Sequence, residues 1–535
     1  MDNLEAQSAN HLEQIKRLTQ IGVALSAEKN LDKLLEAIID EARRLTHADG
    51  GTLYILSDDL TELMFAIVQN DTLSIRMGGE GDQISWAPVK MRTPDHIENR
   101  SQVSAYAALT GEVINIEDVY NAEGFNFEGT RLFDARTGYR SKSMLVVPMR
   151  NHENDMIGVV QLLNAMDEKN GTIISFSPES QMMAESLASQ AAVALSKNRL
   201  IQDLKVLLQS FIRTIATAID EKSPYTGGHV RRVADLTMVI AEKINSKQSG
   251  PFAGQFFSDE QLEELHFAAW LHDVGKITTP EHVVDKATKL EAIYDRLEIL
   301  KTRATVMMRD REIELLTEAL NNAGSKGPDE RILADDPFIK GLRDDVNFLE
   351  NINVGNESLS DESLERLRRI GERQWRVDGV WQPFVTADEL ENLSVRRGTL
   401  TERERDIINN HVKVTYRMLS QLPFPKKLRH VAAYAGDHHE KMDGTGYPAG
   451  RQKNDLSLQS RILALADIFE ALTAKDRPYK KGQTLHEALK LMKNMVRDQH
   501  IDADLFDLFL NDQIYLDYAR RELTPQQIGH EATSL

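Results

Sequence analysis

The run from His438 to Pro448, HHEKMDGTGYP, is the part of the chain whose residue types point most directly to chemistry. Its two adjacent histidines are followed by acidic residues, and imidazole and carboxylate groups bind metal ions. The glycines near its end allow the backbone to approach a ligand closely. A second cluster, His272-Asp273, stands upstream. The two clusters predict a metal site that they share.

Further histidines and acids recur at helical spacing among apolar residues. Together with the two clusters they form a set of five histidines and two aspartates: His229, His272, Asp273, His411, His438, His439 and Asp467. A lone histidine on an apolar face is usually a core residue. Burying each group without a partner costs about 1–3 kcal/mol, and a buried carboxylate costs more. Because a metal centre would satisfy the whole set, the pattern predicts one.

The chemistry of this set favours iron, manganese, nickel or zinc over magnesium or calcium. Seven ligands are too many for one ion and suit two, with Asp273 placed to bridge them. Two ions about 3.5–4 Å apart suit hydrolysis of a phosphoester, because they activate a water and neutralise charge at phosphorus. His272, Asp273 and Lys276 are therefore the predicted catalytic residues. Lys276, one helical turn after His272, is the candidate to steady the phosphate oxygens.

Composition narrows the class of protein. A chain of 535 residues predicts two or three domains. The net charge of -19 disfavours nucleic acid and anionic membranes as partners. The absence of cysteine excludes disulfides, thiolate zinc sites and a cysteine nucleophile. No uncharged apolar run reaches the roughly 18 residues needed to span a bilayer, and the first residues do not resemble a secretory signal. These features predict a cytoplasmic protein.

The N-terminal third predicts an α+β sandwich. A helix is expected from about residue 11 to 47, and strand-like segments follow at 51–56, 63–68, 113–116, 143–148 and 157–163. The residues ADGGTLYIL, AYAALTGEVINIEDVY, SMLVVPM and IGVVQLLNA within these segments resemble a GAF domain, over about residues 11–200. The resemblance implies a sensor domain with a small-molecule ligand, whose identity it leaves open.

Cyclic nucleotides are disfavoured as that ligand. Asn164 and Phe176 match the subset of GAF domains that binds them, but Ala165 replaces the lysine of that subset. Ser180 and Gln181 stand where its acidic pair would be. A GAF domain used only for dimerisation is the alternative.

One long helix is predicted from about residue 180 to 220. Within it, positions separated by 4, 3, 4 and 3 residues are apolar: Leu204, Leu208, Phe211, Ile215 and Ala218. This spacing is typical of a heptad seam and predicts a signalling helix that pairs two subunits into a homodimer. The alternative is a helix that packs on its own domain.

The C-terminal part resembles an HD-GYP domain. The resemblance rests on PYTGGHVRRV at 224–233, HDVGKI at 272–277, the segment 400–411, the run 438–448, and DIFEALT at 467–473 with Arg477-Pro478-Tyr479. It covers about residues 203–285 and 396–515, so an all-α HD-GYP domain is expected over 203–515. It implies a phosphodiesterase that hydrolyses cyclic di-GMP to pGpG or GMP.

The resemblance also implies residue roles. The seven-residue set would bind two metal ions, iron or manganese with nickel as an alternative, and Lys276, Arg477 and Lys480 would contact substrate phosphates. Gly446, Tyr447 and Pro448, in the loop that starts at Gly444, would flank the substrate and could dock diguanylate cyclases. Some members hold a third metal through a glutamate, but Tyr225 stands at that position here, so two ions are expected.

An insertion separates the two halves of this domain, because His411 follows His272 by 139 residues. Residues 286–395 predict a helical insertion, with helices at 290–320, 360–373 and 387–394, and with no histidine or chemistry of its own. Two other functions stay open at this point. One is hydrolysis of another nucleotide, such as hybrid cyclic GMP-AMP. The other is a receptor or adaptor that binds cyclic di-GMP without turnover.

Overall fold

A computed structural model describes residues 16–222, 227–323, 335–355, 358–474 and 482–529. The chain divides after Leu207 into two compact units. Among the helices of the described residues, none is long and apolar enough to cross a membrane.

The first unit is an α+β domain, which confirms the predicted class. Its helices are residues 16–27 (α1), Leu31–Thr46 (α2), Val103–Thr110 (α3), Glu128–Thr137 (α4) and the start of Pro178–Asp220 (α5). Its strands are Ala48–Leu56 (β1), Glu62–Asn70 (β2), Ile75–Gly78 (β3), Val89–Lys90 (β4), Ile114–Ile116 (β5), Met144–Arg150 (β6), Met156–Met166 (β7) and Ile173–Ile174 (β8). The strands pair antiparallel in the order β3-β2-β1-β7-β6-β5, with β4 beside β2 and β8 beside β7.

Apolar side chains point alternately to the two faces of this sheet, and helices cover both faces. On β6, Leu145 and Val147 join the core beneath α2 and the first turns of α5, whereas Met144 and Val146 join the core beneath α3. The five predicted strands are confirmed as β1, β2, β5, β6 and β7. The strands β3, β4 and β8 were not predicted, because two to four residues are too few to show a period of two.

The predicted single helix over residues 11–47 is wrong in one respect, and its first residues, 11–15, lie outside the described part of the chain. The described helix α1 ends at residue 27, and α2 begins at Leu31. Asn30 separates them, because its side-chain oxygen accepts a hydrogen bond from the backbone N–H of Lys33. An N-cap of this kind starts a new helix within an apolar pattern that continues across the break.

The second unit is helical apart from one hairpin, over its described residues. Its α-helices after α5 are His229–Asn245 (α6), Asp259–Leu271 (α7), Glu281–Val284 (α8), Leu297–Ala323 (α9), Pro337–Asn353 (α10), Asp361–Gly371 (α11), Ala387–Leu393 (α12), Glu402–Ser420 (α13), Val431–Gly436 (α14), Leu458–Thr473 (α15), Leu485–Arg497 (α16), Ala503–Asn511 (α17), Ile514–Glu522 (α18) and Pro525–Ile528 (α19). Short 3-10 helices lie at Val274–Thr278, Lys426–Leu428 and Lys453–Asp455.

The insertion forms a small domain with its own hydrophobic core. Leu300 from α9, Leu342 and Leu349 from α10, and Leu367 from α11 are buried together with Phe384. The helix expected from residue 290 begins later, at Leu297, because the residues before it form turns. The helices predicted at 360–373 and 387–394 are confirmed as α11 and α12.

A β-hairpin in the insertion was not predicted. Gln374–Val377 (β9) pairs antiparallel with Val380–Pro383 (β10). Asp378 and Gly379 form the turn, both with positive φ, at 48° and 82°. An Asp-Gly pair between strand-like residues favours such a hairpin turn, so the sequence did carry a signal for it.

A buried ion pair joins the insertion to helix α13. The Lys286 ammonium donates to both carboxylate oxygens of Glu404 at 2.8 Å and to the Asn392 side chain at 2.6 Å. Glu404 also completes the capping box of α13 with Thr401. The first residue of the insertion is therefore fixed to the first turn of a helix that carries a predicted metal ligand.

Lys289 also lies at the start of the insertion, and it has no carboxylate partner among the described residues. Its side chain is almost completely buried, with 1% of the residue exposed, and its ammonium donates to the carbonyl oxygen of Leu393 at 3.3 Å. Burial lowers the pKa of Lys289 from 10.5 to about 8. The folded protein thus pays a cost for holding a charged group there.

Replacing Lys289 by methionine is expected to increase the free energy of unfolding below pH 8. Since the folded pKa lies below the unfolded one, the cost of burying the ammonium is complete below pH 8 and disappears as the pH rises toward 10.5. The shift corresponds to about 3 kcal/mol. Urea unfolding at several pH values measures it, with fluorescence from Trp375 and Trp381 reporting on the insertion.

Lys286→Met is the matched control. It leaves the Glu404 carboxylate without its buried cation, so we expect a loss of about 3–5 kcal/mol at neutral pH. If Lys289→Met lowered the free energy of unfolding at pH 7 as much as Lys286→Met does, the buried Lys289 ammonium would not destabilise the folded protein.

Candidate metal centre

Six segments of the second unit carry the seven predicted ligands to one place. His229 is the first residue of α6, and His272 is the C-cap residue of α7. Asp273 precedes the 3-10 helix Val274–Thr278, while α13 carries His411 and α15 carries Asp467. The sequence placed His438 and His439 on a helix, but α14 ends at Gly436 and both lie in the turn that follows it.

The ligand atoms form two groups on either side of Asp273. His229, His272 and Asp467 form one group, and His411, His438 and His439 form the other, with the ligand atoms in each group within 4.8 Å of one another. The two oxygens of Asp273 face different groups. Its Oδ2 lies 3.4 Å from Nε2 of His229 and 3.3 Å from Nε2 of His272, whereas its Oδ1 lies 3.2 Å from Nε2 of His411. This is the geometry of a bridging carboxylate.

Several of these atoms are buried and make no hydrogen bond with any described residue. They are Nε2 of His272, His411 and His438, and Oδ1 of Asp273. Unpaired buried polar atoms cost free energy and are rare in folded proteins. Three of these atoms belong to the two groups and the fourth is an oxygen of the carboxylate between them, so the donor set fits a pair of metal ions.

Three of the histidines are oriented by their own backbone. In each, Nδ1 lies within hydrogen-bonding distance of the carbonyl oxygen three residues earlier: 2.8 Å for His272 and Ala269, 2.5 Å for His411 and Ile408, and 2.6 Å for His438 and Ala435. A proton on Nδ1 that is donated in this way leaves the lone pair of Nε2 directed toward the centre. These imidazoles are thereby held in the tautomer that binds a metal.

His229 has a different partner. Its Nδ1 contacts Oε2 of Glu470, whose other oxygen accepts a hydrogen bond from Nε of Arg232 at 2.7 Å. Glu470 is completely buried. Glu470 was not predicted as a member of the site. Its position, three residues after Asp467 and on the same helix, was the available signal.

The protonation states of two imidazoles and of the central carboxylate suit metal binding. At His229 and His272, burial lowers the pKa, but the carboxylates beside these rings outweigh it and raise the pKa of both. Burial lowers the pKa of His438 well below its ordinary value, and the neighbouring His439 and His272 lower it further. Burial also lowers the pKa of His439 to about 4. Burial alone would raise the pKa of Asp273, but Lys276 and His272 hold it well below its usual range. Neutral imidazoles and an ionised carboxylate are the forms that coordinate metals.

The turn after Asp273 lies directly against α13. Thr415 on that helix accepts a hydrogen bond from the N–H of Gly275 at 2.9 Å and donates one to the carbonyl oxygen of His272 at 3.0 Å. A Cβ atom on Gly275 would lie 2.0 Å from the carbonyl oxygen of His411. The contact therefore requires glycine, and it sets the distance between the two ligand groups.

The rim of the centre contains the predicted Lys276 and the Gly-Tyr-Pro loop. Nζ of Lys276 lies 2.5 Å from Oδ2 of Asp273. The ring of Tyr447 lies 4.9 Å from that of His439, between centroids. A Cβ on Gly446 would lie 2.4 Å from the backbone nitrogen of Lys441, so the loop folds back tightly on the segment that follows the histidines.

Three residues considered from the sequence lie outside the described residues: Tyr225, Arg477 and Lys480. In the first unit, Asn164 has a structural role, because its side chain bonds the backbone of Lys142 and Arg140 and the hydroxyl of Tyr139.

Comparison with protein families divides the chain in the same way. Residues 30–195 match the GAF domain, and two separate segments, 226–333 and 386–505, match the HD domain. The segment between the two HD matches lies within the insertion. The chain thus contains a GAF domain followed by an HD domain.

Curated relatives resemble part of this chain. A 3'3'-cGAMP-specific phosphodiesterase 1 from Vibrio cholerae is 37% identical over 126 residues, 23% of this chain and 28% of that protein. The 3'3'-cGAMP-specific phosphodiesterase 3 of the same organism is 40% identical over 110 residues, 20% of this chain and 23% of that protein. A cyclic di-GMP phosphodiesterase from Thermotoga maritima is 29% identical over 163 residues, 28% of this chain and 44% of that protein. In each case the match spans less than half of the relative's length.

Proposed function

We propose that this chain, with its GAF domain and HD domain, is a metal-dependent phosphodiesterase that hydrolyses cyclic di-GMP. The observation that carries the proposal is the pair of ligand groups on either side of Asp273, with four buried ligand atoms that have no other partner among the described residues. A centre for two divalent ions is a common solution to phosphoester hydrolysis. Iron or manganese suits the histidine-rich set, with nickel as an alternative.

The residues divide between the two ions. His229, His272 and Asp467 would hold one ion, His411, His438 and His439 would hold the other, and Asp273 would contact both. When bound, such ions lower the pKa of a coordinated water and neutralise charge on the phosphate. The contribution of the chain is to fix the orientation of four of the five imidazoles and to keep Asp273 ionised.

Substrate contacts are proposed at the rim. Lys276 touches the bridging carboxylate with a side chain that is 29% exposed, so its charge can also serve phosphate oxygens in the cleft. Tyr447, on the face of His439, would flank a base or sugar of the substrate together with Gly446 and Pro448. Arg477 and Lys480 are proposed from the motif alone. The same loop is a proposed docking surface for diguanylate cyclases.

The test compares substrates on metal-loaded protein. Anaerobically purified protein is analysed for metal and assayed with cyclic di-GMP, 3'3'-cGAMP and linear pGpG in the presence of iron, manganese or nickel. We expect two ions per chain and the fastest turnover with cyclic di-GMP, giving pGpG or GMP. Faster cleavage of 3'3'-cGAMP would contradict cyclic di-GMP as the preferred substrate and would favour the substrate in the names of two relatives.

A non-catalytic receptor is the second candidate from a different class. It would bind cyclic di-GMP tightly and release no product with both metal sites filled. The complete ligand set argues against it, because a site that only binds would have no need of seven metal ligands. Binding without product in the same assay would favour the receptor.

We further propose a homodimer formed through α5. The heptad positions are exposed on the described chain, with Leu204, Phe211 and Ile215 at 56%, 58% and 45%. The opposite positions Ile212 and Ile219 are buried in the core of the second unit. The helix thus packs on its own domain with one face and leaves the apolar seam for a second copy of the chain.

Replacing both Leu204 and Phe211 by glutamate is expected to convert the dimer to a monomer. The like charges would meet across the seam, where each apolar side chain contributes about 1.5–3 kcal/mol when buried. Light scattering coupled to size-exclusion chromatography measures the mass. Ser210→Glu, which adds a charge to the same helix outside the seam, should leave the dimer intact. A dimeric double variant would place the interface elsewhere.

The end of α5 contacts the metal-bearing segments directly, which suits a relay from a GAF sensor. Just beyond the helix, Lys222 donates to the carbonyl oxygens of Ile277 and Thr279 at 2.7 Å, and of Lys276 at 3.3 Å. Asp220 accepts a hydrogen bond from the N–H of Val230, next to His229, at 3.4 Å. We propose that a shift of α5 moves both segments.

A further inference from the structure

Four histidines of the centre are buried, and a partner of the Nδ1 atom is described for each of them. These partners are not equivalent. Three have Nδ1 against a carbonyl oxygen of the preceding helical turn. His229 is the first residue of α6 and has a different partner. Its Nδ1 contacts the carboxylate of Glu470, 241 residues further along the chain.

A carboxylate and a carbonyl act differently on a metal-binding imidazole. Both fix the tautomer, but a full negative charge on the acceptor makes the ring a stronger donor to the metal. Here the charge is buried, so water screens it little. His229 is thereby set apart electronically from His272, although both belong to the same ligand group.

Arg232 keeps the carboxylate in place. It lies one helical turn after His229, is 8% exposed, and donates through Nε to Glu470 at 2.7 Å. Its Nη1 also donates to the carbonyl oxygen of Gly227 at 3.2 Å. The guanidinium thus offsets the buried negative charge and ties it to the segment that precedes His229.

We infer that Glu470 is a positioning residue that acts through His229 and makes the ion held by His229, His272 and Asp467 the more tightly bound of the two. The inference rests on the metal centre of the proposed function and adds a difference between its two ions. The other ion would be held by His411, His438 and His439. Nδ1 of His411 and Nδ1 of His438 each face a backbone carbonyl oxygen instead of a carboxylate.

The test measures metal binding rather than turnover. Glu470→Gln keeps the size of the side chain but removes the charge, and its amide can satisfy only one of its two neighbours. Glu470→Asp keeps the charge but withdraws it from His229. For both variants we expect about a 10–100-fold loss of affinity at one of the two sites and none at the other. Titration of the metal-free protein with Mn²⁺, followed by electron paramagnetic resonance, resolves the two sites.

Two comparisons identify the site and exclude a general effect. His229→Ala should weaken the same binding phase as Glu470→Gln, whereas His439→Ala should weaken the other. Glu264→Gln changes a buried glutamate that contacts His430 outside the centre, and it should leave both phases unchanged.

Unchanged affinity at both sites in Glu470→Gln, or an equal loss at both, would overturn the inference, as would a tighter phase that belongs to the His439 group. Circular dichroism confirms that each variant is folded. A parent protein that binds two ions but cleaves no cyclic dinucleotide would instead contradict the proposed function, and the inference would still stand or fall by the titration.

Discussion

Replacing Asp273 by asparagine is expected to reduce cyclic di-GMP hydrolysis by at least about a thousandfold, a loss of about 4 kcal/mol in transition-state stabilisation. One oxygen of Asp273 faces His229 and His272, and the other faces His411. Asparagine preserves the volume but removes the charge and one of the two ligand oxygens. The bridge between the ions would then be lost while the fold stays intact. Product chromatography and metal analysis measure the two effects.

Asp235→Asn is the control for this change. Asp235 lies on the same helix as His229, but its side chain is 46% exposed and pairs with Arg231. It should keep the parent rate and two ions per chain. If Asp273→Asn also hydrolysed cyclic di-GMP at the parent rate, the assignment of the centre would be wrong.

Gly275→Ala is expected to lower activity about a hundredfold through a change that touches no ligand side chain. The added Cβ would lie 2.0 Å from the carbonyl oxygen of His411 and 2.7 Å from the nitrogen of Thr415. The turn or α13 must move to relieve this clash, which separates Asp273 from His411. Displacements near 1 Å cost about this much in rate, and overpacking costs about 1–3 kcal/mol in stability. Turnover and thermal unfolding of the same preparation measure both.

Gly341→Ala provides the matched comparison. This glycine lies within α10, and the nearest atom to an added Cβ is 3.8 Å away. Alanine should leave turnover unchanged and stabilise the helix by up to about 1 kcal/mol. Similar losses in the two variants would mean that the packing of the turn against α13 does not control the centre.

The sequence predicted the ligand set because each member shows its chemistry locally. A histidine that recurs at helical spacing among apolar residues, as His411 does, is predicted to be buried. Burying its polar ring without a partner costs free energy, which points to a ligand. The bridging role of Asp273 was predicted together with this set and stays a prediction. The same local logic predicted five strands of the GAF domain and the helix α5.

Contacts between distant segments were beyond that logic. Nothing near Gly275 in the sequence shows that α13 will lie against it, since His411 is more than a hundred residues away. Glu470 reads as an ordinary residue of α15 until His229 is found beside it. The hairpin β9–β10 differs from these cases, because its Asp378-Gly379 turn carried a local signal that was overlooked.

The partners of the four histidine rings also bear on how this centre can change over evolutionary time. A main-chain carbonyl is present whatever side chain its residue carries, so Ala269, Ile408 and Ala435 can be substituted without altering the acceptor. Sequence drift at these positions would leave no trace in the metal chemistry. Glu470 and Arg232, by contrast, can be exchanged only together, because either one alone leaves an uncompensated buried charge. Among descendants of this chain, we therefore expect the two residues to be kept together or replaced together.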